Sequence, residues 1–314
     1  MSTSICSAFW KHTNIRPGGR VYPCCRFKFS VGTTDGDLDS ILDSDAYKTL
    51  RNRALNNEKI IGCEKCYYEE SIGHKSLREE FNEQYSVDTV GLEYLEIGID
   101  NLCNLVCDGC NSEFSTSWRA KEIREHGSAK HDYMTIDTIT SVPNSVRKIL
   151  FLGGEPLITK RHLEVLNLVE NPELVTVVYN TNAMYMPDIE TESVWSKFKS
   201  VEFIVSIDGV GEVAERVRGG TVWSKVVEFV DFVDNRGYSL EFNSVMHINN
   251  YNNFGVIAGY IRNYNADWYV NVLTYPKHLD ISNLNSKEKT YIIETAKQLD
   301  LPNKEFIINH LNAN

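Results

Sequence analysis

Apolar and polar positions alternate along Tyr94 to Asp100, where Leu95, Ile97 and Ile99 fall on every second residue, the mark of a strand. Five further segments, near residues 147–152, 174–180, 201–207, 239–246 and 268–273, read as strands too. Segments near 112–126, 160–170, 190–199, 222–235, 251–263, 286–299 and 303–311 read as helices. Strand and helix in steady order imply a parallel sheet with right-handed crossovers. Six such units predict an α/β fold, a partial (β/α)6 TIM-like barrel two units short of a closed one. Upstream, Tyr67 to Tyr85 carries Ile72, Leu77 and Phe81, which predicts a single amphipathic connecting helix. The expected divisions are 1–90 for a small cysteine-rich domain with that helix, 91–284 for the barrel, and 285–314 for C-terminal helices packed on it.

Composition narrows the function classes. A chain of 314 residues buries roughly three quarters of its unfolded surface. Its 42% apolar and 24% charged residues argue against disorder. The formal charge of −11 lacks the basic footprint of a general nucleic-acid binder. Apolar runs such as Phe254 to Ile261 fall far short of the roughly 20 residues that span a bilayer. No basic flank precedes a long apolar region at the N-terminus, so no secretory signal is read there. The expectation is a soluble, cytoplasmic protein with neither a nucleic-acid nor a membrane partner.

The eight cysteines carry the candidate chemistry. All lie at or before Cys110, in three tight groups preceded by Cys6. A chain this long needs no disulfide framework, so metal ligation is the better reading. Cys103, Cys107 and Cys110 form a CxxxCxxC on a loop between a predicted strand and a predicted helix. Thiolates suit zinc, Cu(I) or iron–sulfur clusters. A structural zinc site wants four closed ligands, with His126 a conceivable fourth, whereas a cubane held by three local cysteines leaves one iron open. Inert burial is disfavoured by the polar neighbours Asn101, Asn104, Asp108 and Asn111.

Further along, Lys148 to Leu152 is an apolar run that ends in Gly153-Gly154-Glu155-Pro156. The glycines permit close backbone approach and the Glu supplies a carboxylate for a cation. One strand–helix unit after CxxxCxxC, this segment resembles the motif with which radical S-adenosylmethionine (SAM) enzymes hold the SAM amino group, and the three cysteines match that superfamily's cluster loop. Asn180-Thr181-Asn182 closes a segment similar to the family's third strand. Ser206 and Asp208 stand where the fourth strand of the family approaches the SAM ribose and carboxylate. Arg218 opens a segment similar to one whose arginine pairs with that carboxylate. One departure is visible: Gly109 replaces the aromatic residue that often precedes the last cysteine. The resemblance covers roughly Leu92 to Leu284.

The N-terminal pattern, Cys6 and Cys24 in a Cx12Gx4C followed by Cys63 and Cys66, resembles the SPASM/twitch segment that binds an auxiliary [4Fe–4S] cluster. A zinc ribbon is the alternative. Cys25 is left over and reads as an inert neighbour, with a ligand or hydrogen-atom donor as the other readings. Arg26 to Lys28 reads as a solvated face. The resemblance implies reductive cleavage of SAM to a 5′-deoxyadenosyl radical that abstracts hydrogen from a peptide or protein side chain or a small polar metabolite. The auxiliary cluster would accept an electron or anchor substrate, and an electron donor such as flavodoxin or ferredoxin would serve the enzyme. A non-catalytic zinc- or cluster-binding electron-transfer module is the competing function class.

Overall fold

The structure, a computed structural model, describes residues 4–71 and 73–312. In chain order its helices and strands begin with α1 (Ala8–Lys11), β1 (His12–Arg16), β2 (Arg20–Tyr22), β3 (Gly32–Thr33), α2 (Asp45–Leu55), α3 (Glu64–Ser71), α4 (Leu77–Gln84) and β4 (Tyr94–Gly98). Next come β5 (Val106–Cys107), α5 (Thr116–His126), β6 (Lys148–Leu152), α6 (Arg161–Leu166), β7 (Thr176–Thr181), α7 (Ile189–Trp195) and β8 (Ser200–Ser206). The remainder is α8 (Glu212–Val217), β9 (Arg218–Gly219), α9 (Trp223–Asn235), β10 (Ser239–Met246), α10 (Phe254–Ile261), β11 (Asp267–Val272), α11 (Ser286–Gln298) and α12 (Lys304–Asn312).

The chain divides into two compact units. The first comprises Met1–Asn101, Tyr133–Val178 and Asp188–Ser200. Its strands run in the order β7-β6-β4-β1-β2-β3. β4 pairs parallel with β6, Leu95 opposite Ile149, and the apolar residues Leu95, Ile97, Ile149 and Phe151 are buried. On the other edge of β4 lies β1, also parallel, with Asn14 opposite Glu96. Polar side chains fasten that contact. Asn14 Nδ2 donates to Glu96 Oε2 (2.7 Å), His12 Nε2 stands 3.4 Å from Glu96 Oε1, and Nδ1 of the same imidazole donates to the Pro23 carbonyl (2.8 Å). Burial alone would raise the Glu96 pKa, but His12 and Asn14 win and hold it below the usual range. A second apolar cluster in this unit gathers Phe9, Trp10, Phe27, Leu50 and Phe81 around Cys6.

The second unit comprises Leu102–Asp132, Tyr179–Pro187 and Val201–Asn314. Its order is β11-β10-β8-β7, with β10 parallel to both β8 and β11. β10 buries every second residue, Leu240, Phe242, Ser244 and Met246, as a half-covered strand does. α9 turns Val226, Phe229, Val230 and Val233 inward at helical spacing. Phe203 stacks on Tyr179 (5.8 Å between centroids) and meets the Phe229 ring edge-on (5.5 Å).

These parallel strands with helical crossovers form the expected α/β class in (β/α)6 order. The single connecting helix over 67–85 is corrected: Gly73, at φ +79°, follows α3, and a capping box between Ser76 and Glu79 starts α4 afresh. Ile72 lies outside the described residues. Residues 112–115 also stay out of α5, because Ser115 caps it by accepting the Trp118 N–H. Among the described residues no helix is long and apolar enough to cross a membrane.

Candidate iron–sulfur sites

In the first unit, Cys6 precedes α1, Cys24 follows β2, and Cys63 and Cys66 flank the start of α3. All four line one cavity, together with Phe9, Leu77, Phe81, Arg26 and Arg78. Cys25 is exposed and does not line it. Burial pushes the Cys6 thiol up to about 12, with the Ala8 N–H pulling the other way. Burial, and then the neighbouring Cys66, takes Cys63 to about 12. Cys24 and Cys66 are raised for the same reason, opposed by the backbone N–H of Arg26 and of Arg78 respectively. Such thiols stay protonated until a cation replaces their protons, which is how metal binding and proton release are linked. Among the described residues, no three His, Cys, Asp or Glu side chains converge on the position of one metal ion. Cysteines spaced around a cavity suit a cubane, in which each thiolate ligates its own iron. The Arg26–Lys28 reading needs correction at Arg26: its side chain is 22% exposed, lines this cavity and pairs with Glu69 (2.5 Å).

The same unit holds the Gly153–Pro156 turn at the end of β6. Gly153 has φ +115°, and a Cβ there would stand 2.5 Å from the Asp100 carbonyl oxygen, so only glycine is accommodated. Gly154 donates its N–H to that carbonyl (3.2 Å). Glu155 is buried and accepts from the Leu157 N–H (3.1 Å). Gly154, Glu155 and Pro156 line a recess with Asp100, Arg161 and His162.

The second unit holds the CxxxCxxC loop, which the first turn of α5 fastens. Ser117 Oγ donates to the Cys103 carbonyl (2.8 Å), Ser115 Oγ to that of Leu105 (2.7 Å), and Trp118 Nε1 to that of Cys107 (2.9 Å). β5 and β9 pair antiparallel and set Cys107 opposite Arg218. Gly109 has φ +79°, and a Cβ there would meet Leu273 Cδ2 at 2.8 Å; the loop has no room for an aromatic side chain at that position. Burial raises Cys107 to about 12, against the pull of Arg218, and raises Cys110 to about 11.

Other sequence-predicted residues of this unit form a hydrogen-bonded set. Arg218 Nη1 donates to Asp208 Oδ2 (2.8 Å), and Asp208 Oδ1 accepts from the Val245 N–H (2.7 Å). Burial works against the Arg218 charge, but Cys107 and Asp208 outweigh it and raise its pKa. Ser206 Oγ donates to Asn180 Oδ1 (3.1 Å), and Asn182 Nδ2 to Asn104 Oδ1 on the cysteine loop (2.9 Å). Thr181 is buried, its Oγ1 accepting from the Ala183 N–H (3.0 Å). Sequence reasoning missed Asn249, whose Nδ2 donates to Asp108 Oδ2 between the last two cysteines (2.7 Å). Its signal was the asparagine-rich run from Asn249 to Asn253.

Residues 6–67 match the SPASM family, an iron–sulfur cluster-binding domain. Together with the cysteine loop and the motif series, that match makes the chain similar to radical SAM enzymes that carry a SPASM/twitch-like domain, a class whose cofactors are [4Fe–4S] clusters and SAM. Among curated proteins the chain is similar to the GTP 3′,8-cyclase of Campylobacter lari, 24% identical over 163 residues, 51% of this chain and 49% of the relative. It is similar also to the GTP 3′,8-cyclase of Alkaliphilus oremlandii, 26% identical over 172 residues with the same coverage. The chain thus spans about half the length of the curated relatives it matches. A solved structure, native anSMEcpe with bound AdoMet, aligns at 15% identity and TM-score 0.46 over 66% of this chain and 60% of that one.

Proposed function

We propose that this protein cleaves SAM reductively and uses the resulting 5′-deoxyadenosyl radical to take a hydrogen atom from a peptide or protein side chain or a small polar metabolite. The observation that carries the reading is the division of seven cysteines into a three-thiol loop and a four-thiol cavity. Cys103, Cys107 and Cys110 would hold three irons of one cubane and leave the fourth to the amino and carboxylate groups of SAM. Gly153, Gly154, Glu155 and Pro156 would receive the amino group: the glycines let the backbone approach closely, and the Glu155 carboxylate offsets an ammonium. Asn180, Thr181, Asn182, Ser206, Asp208 and Arg218 complete the assignment toward ribose and carboxylate. The cofactors supply the bond homolysis, and the protein's share is orientation and exclusion of water.

Cys6, Cys24, Cys63 and Cys66 would complete the coordination of an auxiliary cubane. With no iron left open, that cluster is suited to accept an electron rather than to ligate substrate. The functional division proposed is 1–90, 91–284 and 285–314, which cuts across the two compact units. A flavodoxin or ferredoxin would deliver the electrons, in the cytoplasm. A nucleotide substrate is the second reading, favoured by the likeness to the GTP 3′,8-cyclases over half the chain.

Anaerobically reconstituted protein should carry about eight irons, four per cubane. With reductant and SAM it should release 5′-deoxyadenosine, and Cys107→Ala should abolish that product. Undiminished product from the variant would overturn the assignment. Half the iron accompanied by bound zinc would overturn the four-cysteine part alone.

A further inference from the structure

We propose that Arg26, held by Glu69, sets the reduction potential of the auxiliary cluster. The proposal rests on the reading that Cys6, Cys24, Cys63 and Cys66 hold one, and it concerns residues that are not ligands. Arg26 follows the Cys24-Cys25 pair, and its side chain turns into the cavity those four cysteines line. Its Nη1 donates to Glu69 Oε2 at 2.5 Å. Glu69 lies three residues after Cys66 on α3, hence on the same face of the helix, and is itself buried. The salt bridge therefore fixes a guanidinium beside the Cys66 sulfur. That sulfur is pushed up by burial and pulled down by the Arg78 N–H and by Arg26.

Arg78, the other arginine of the cavity, does different work. It pairs with Glu70 and donates to the Ile5 carbonyl (3.1 Å), tying α4 to the stretch just before Cys6. Its charge also reaches the Cys6 and Cys63 sulfurs, but its loss would disturb the fold as well, so Arg26 and Glu69 are the residues to vary.

Reduction adds one negative charge to a cluster. In an apolar cavity a nearby cation stabilises that charge and a nearby anion opposes it, with little solvent to screen either. Cluster potentials follow net charge, burial and hydrogen bonds to sulfur. Arg26 and Glu69 must therefore act in opposite directions, which a merely structural salt bridge would not do.

The test is an anaerobic potentiometric titration of the full chain with both clusters loaded, followed by electron paramagnetic resonance. Arg26→Gln should move the auxiliary midpoint to more negative potential by at least a tenfold change in the reduction equilibrium, about 59 mV for one electron. Glu69→Gln should move it to more positive potential. Arg26→Lys, which keeps the charge but loses the planar fork, should fall between wild type and Arg26→Gln. The midpoint of the SAM-binding cluster should stay where it is. Full iron with unshifted midpoints in both glutamine variants, shifts of the same sign, or equal shifts in the two clusters would overturn the proposal. Should Arg26→Gln fail to hold its cluster, the sign of the Glu69→Gln shift decides. Wild-type protein that takes up no second cluster would instead fell the four-cysteine reading itself, and this inference with it.

Discussion

Arg218 and Asp208 face each other across 2.8 Å, and the strand pairing of β5 with β9 sets that ion pair beside Cys107. Both side chains are largely buried, at 14% and 8% exposed. The carboxylate is fully engaged, one oxygen by Arg218 and the other by the Val245 N–H. A guanidinium with this support stays charged next to the cysteine loop at ordinary pH. Sequence reading had aimed each residue at SAM separately. Their mutual contact means that either would reach a ligand only as half of a pair, with its orientation already fixed.

Asp208→Asn should therefore destabilise the protein more than a surface change would. The amide can accept one of the two hydrogen bonds but not both, and Arg218 loses its counter-charge. Breaking a buried pair by removing one partner costs roughly 3–5 kcal/mol. Denaturant unfolding of the anaerobic protein reads this directly. An unchanged midpoint would mean that solvent already pairs with Arg218.

The glycine in the cysteine loop makes a second, structural prediction. At φ +79°, Gly109→Ala incurs roughly 1–2 kcal/mol of left-handed strain. Its Cβ would also press on Leu273 at 2.8 Å, an overpacking of roughly 1–3 kcal/mol. Iron bound by the loop should fall. Adding Leu273→Ala should restore part of it, since that change relieves the clash but not the backbone. No recovery in the double variant would show that the contact is not limiting.

What the sequence could show follows from the range over which each feature is determined. The strand read at 239–246 and observed as Ser239–Met246 is set by local alternation, and α9 by its own apolar spacing. The cysteine groups were legible because ligand spacing is itself the chemistry. The pairing of β1 with β4 was not, because it joins residues about eighty positions apart. Its inward side chains, His12, Asn14 and Glu96, are polar, so no apolar alternation marks residues 12–16 as a partner for β4. Arg26 was misread for a related reason. A charged residue two positions before a lysine looks solvated until the burial of Glu69, on a helix more than forty residues away, supplies a reason to turn inward. The break between α3 and α4 was signalled by Gly73 and the Ser76–Glu79 box, and the apolar spacing on either side concealed it.

Adjacent cysteines give a third test. Cys24 lines the cavity and Cys25, exposed, does not. Cys25→Ala should keep all its iron, while Cys24→Ala should lose close to half, about four of eight. Iron and acid-labile sulfide analysis distinguishes them. Loss in Cys25→Ala with retention in Cys24→Ala would exchange the two assignments.

His162 predicts how stability responds to acid. The ring is buried beside the Gly153–Pro156 turn, edge-on to Phe151 with centroids 6.0 Å apart. Burial lowers its pKa from 6.5 to about 4; Asp188 opposes the shift, and Lys160 adds to it. On acidification the unfolded chain takes up this proton first, near 6.5, and the folded chain only near 4. Between those values the unfolded state holds more protons, so stability drops as pH falls through that window, by roughly 3 kcal/mol in total. His162→Gln removes the titration. Whatever the variant loses at about pH 7.5, the wild-type advantage should shrink by roughly 2 kcal/mol at about pH 5. Paired denaturant titrations at the two pH values measure the difference. A constant gap would show that His162 protonates as readily in the fold as in the open chain, and that the recess beside Glu155 admits water to the ring.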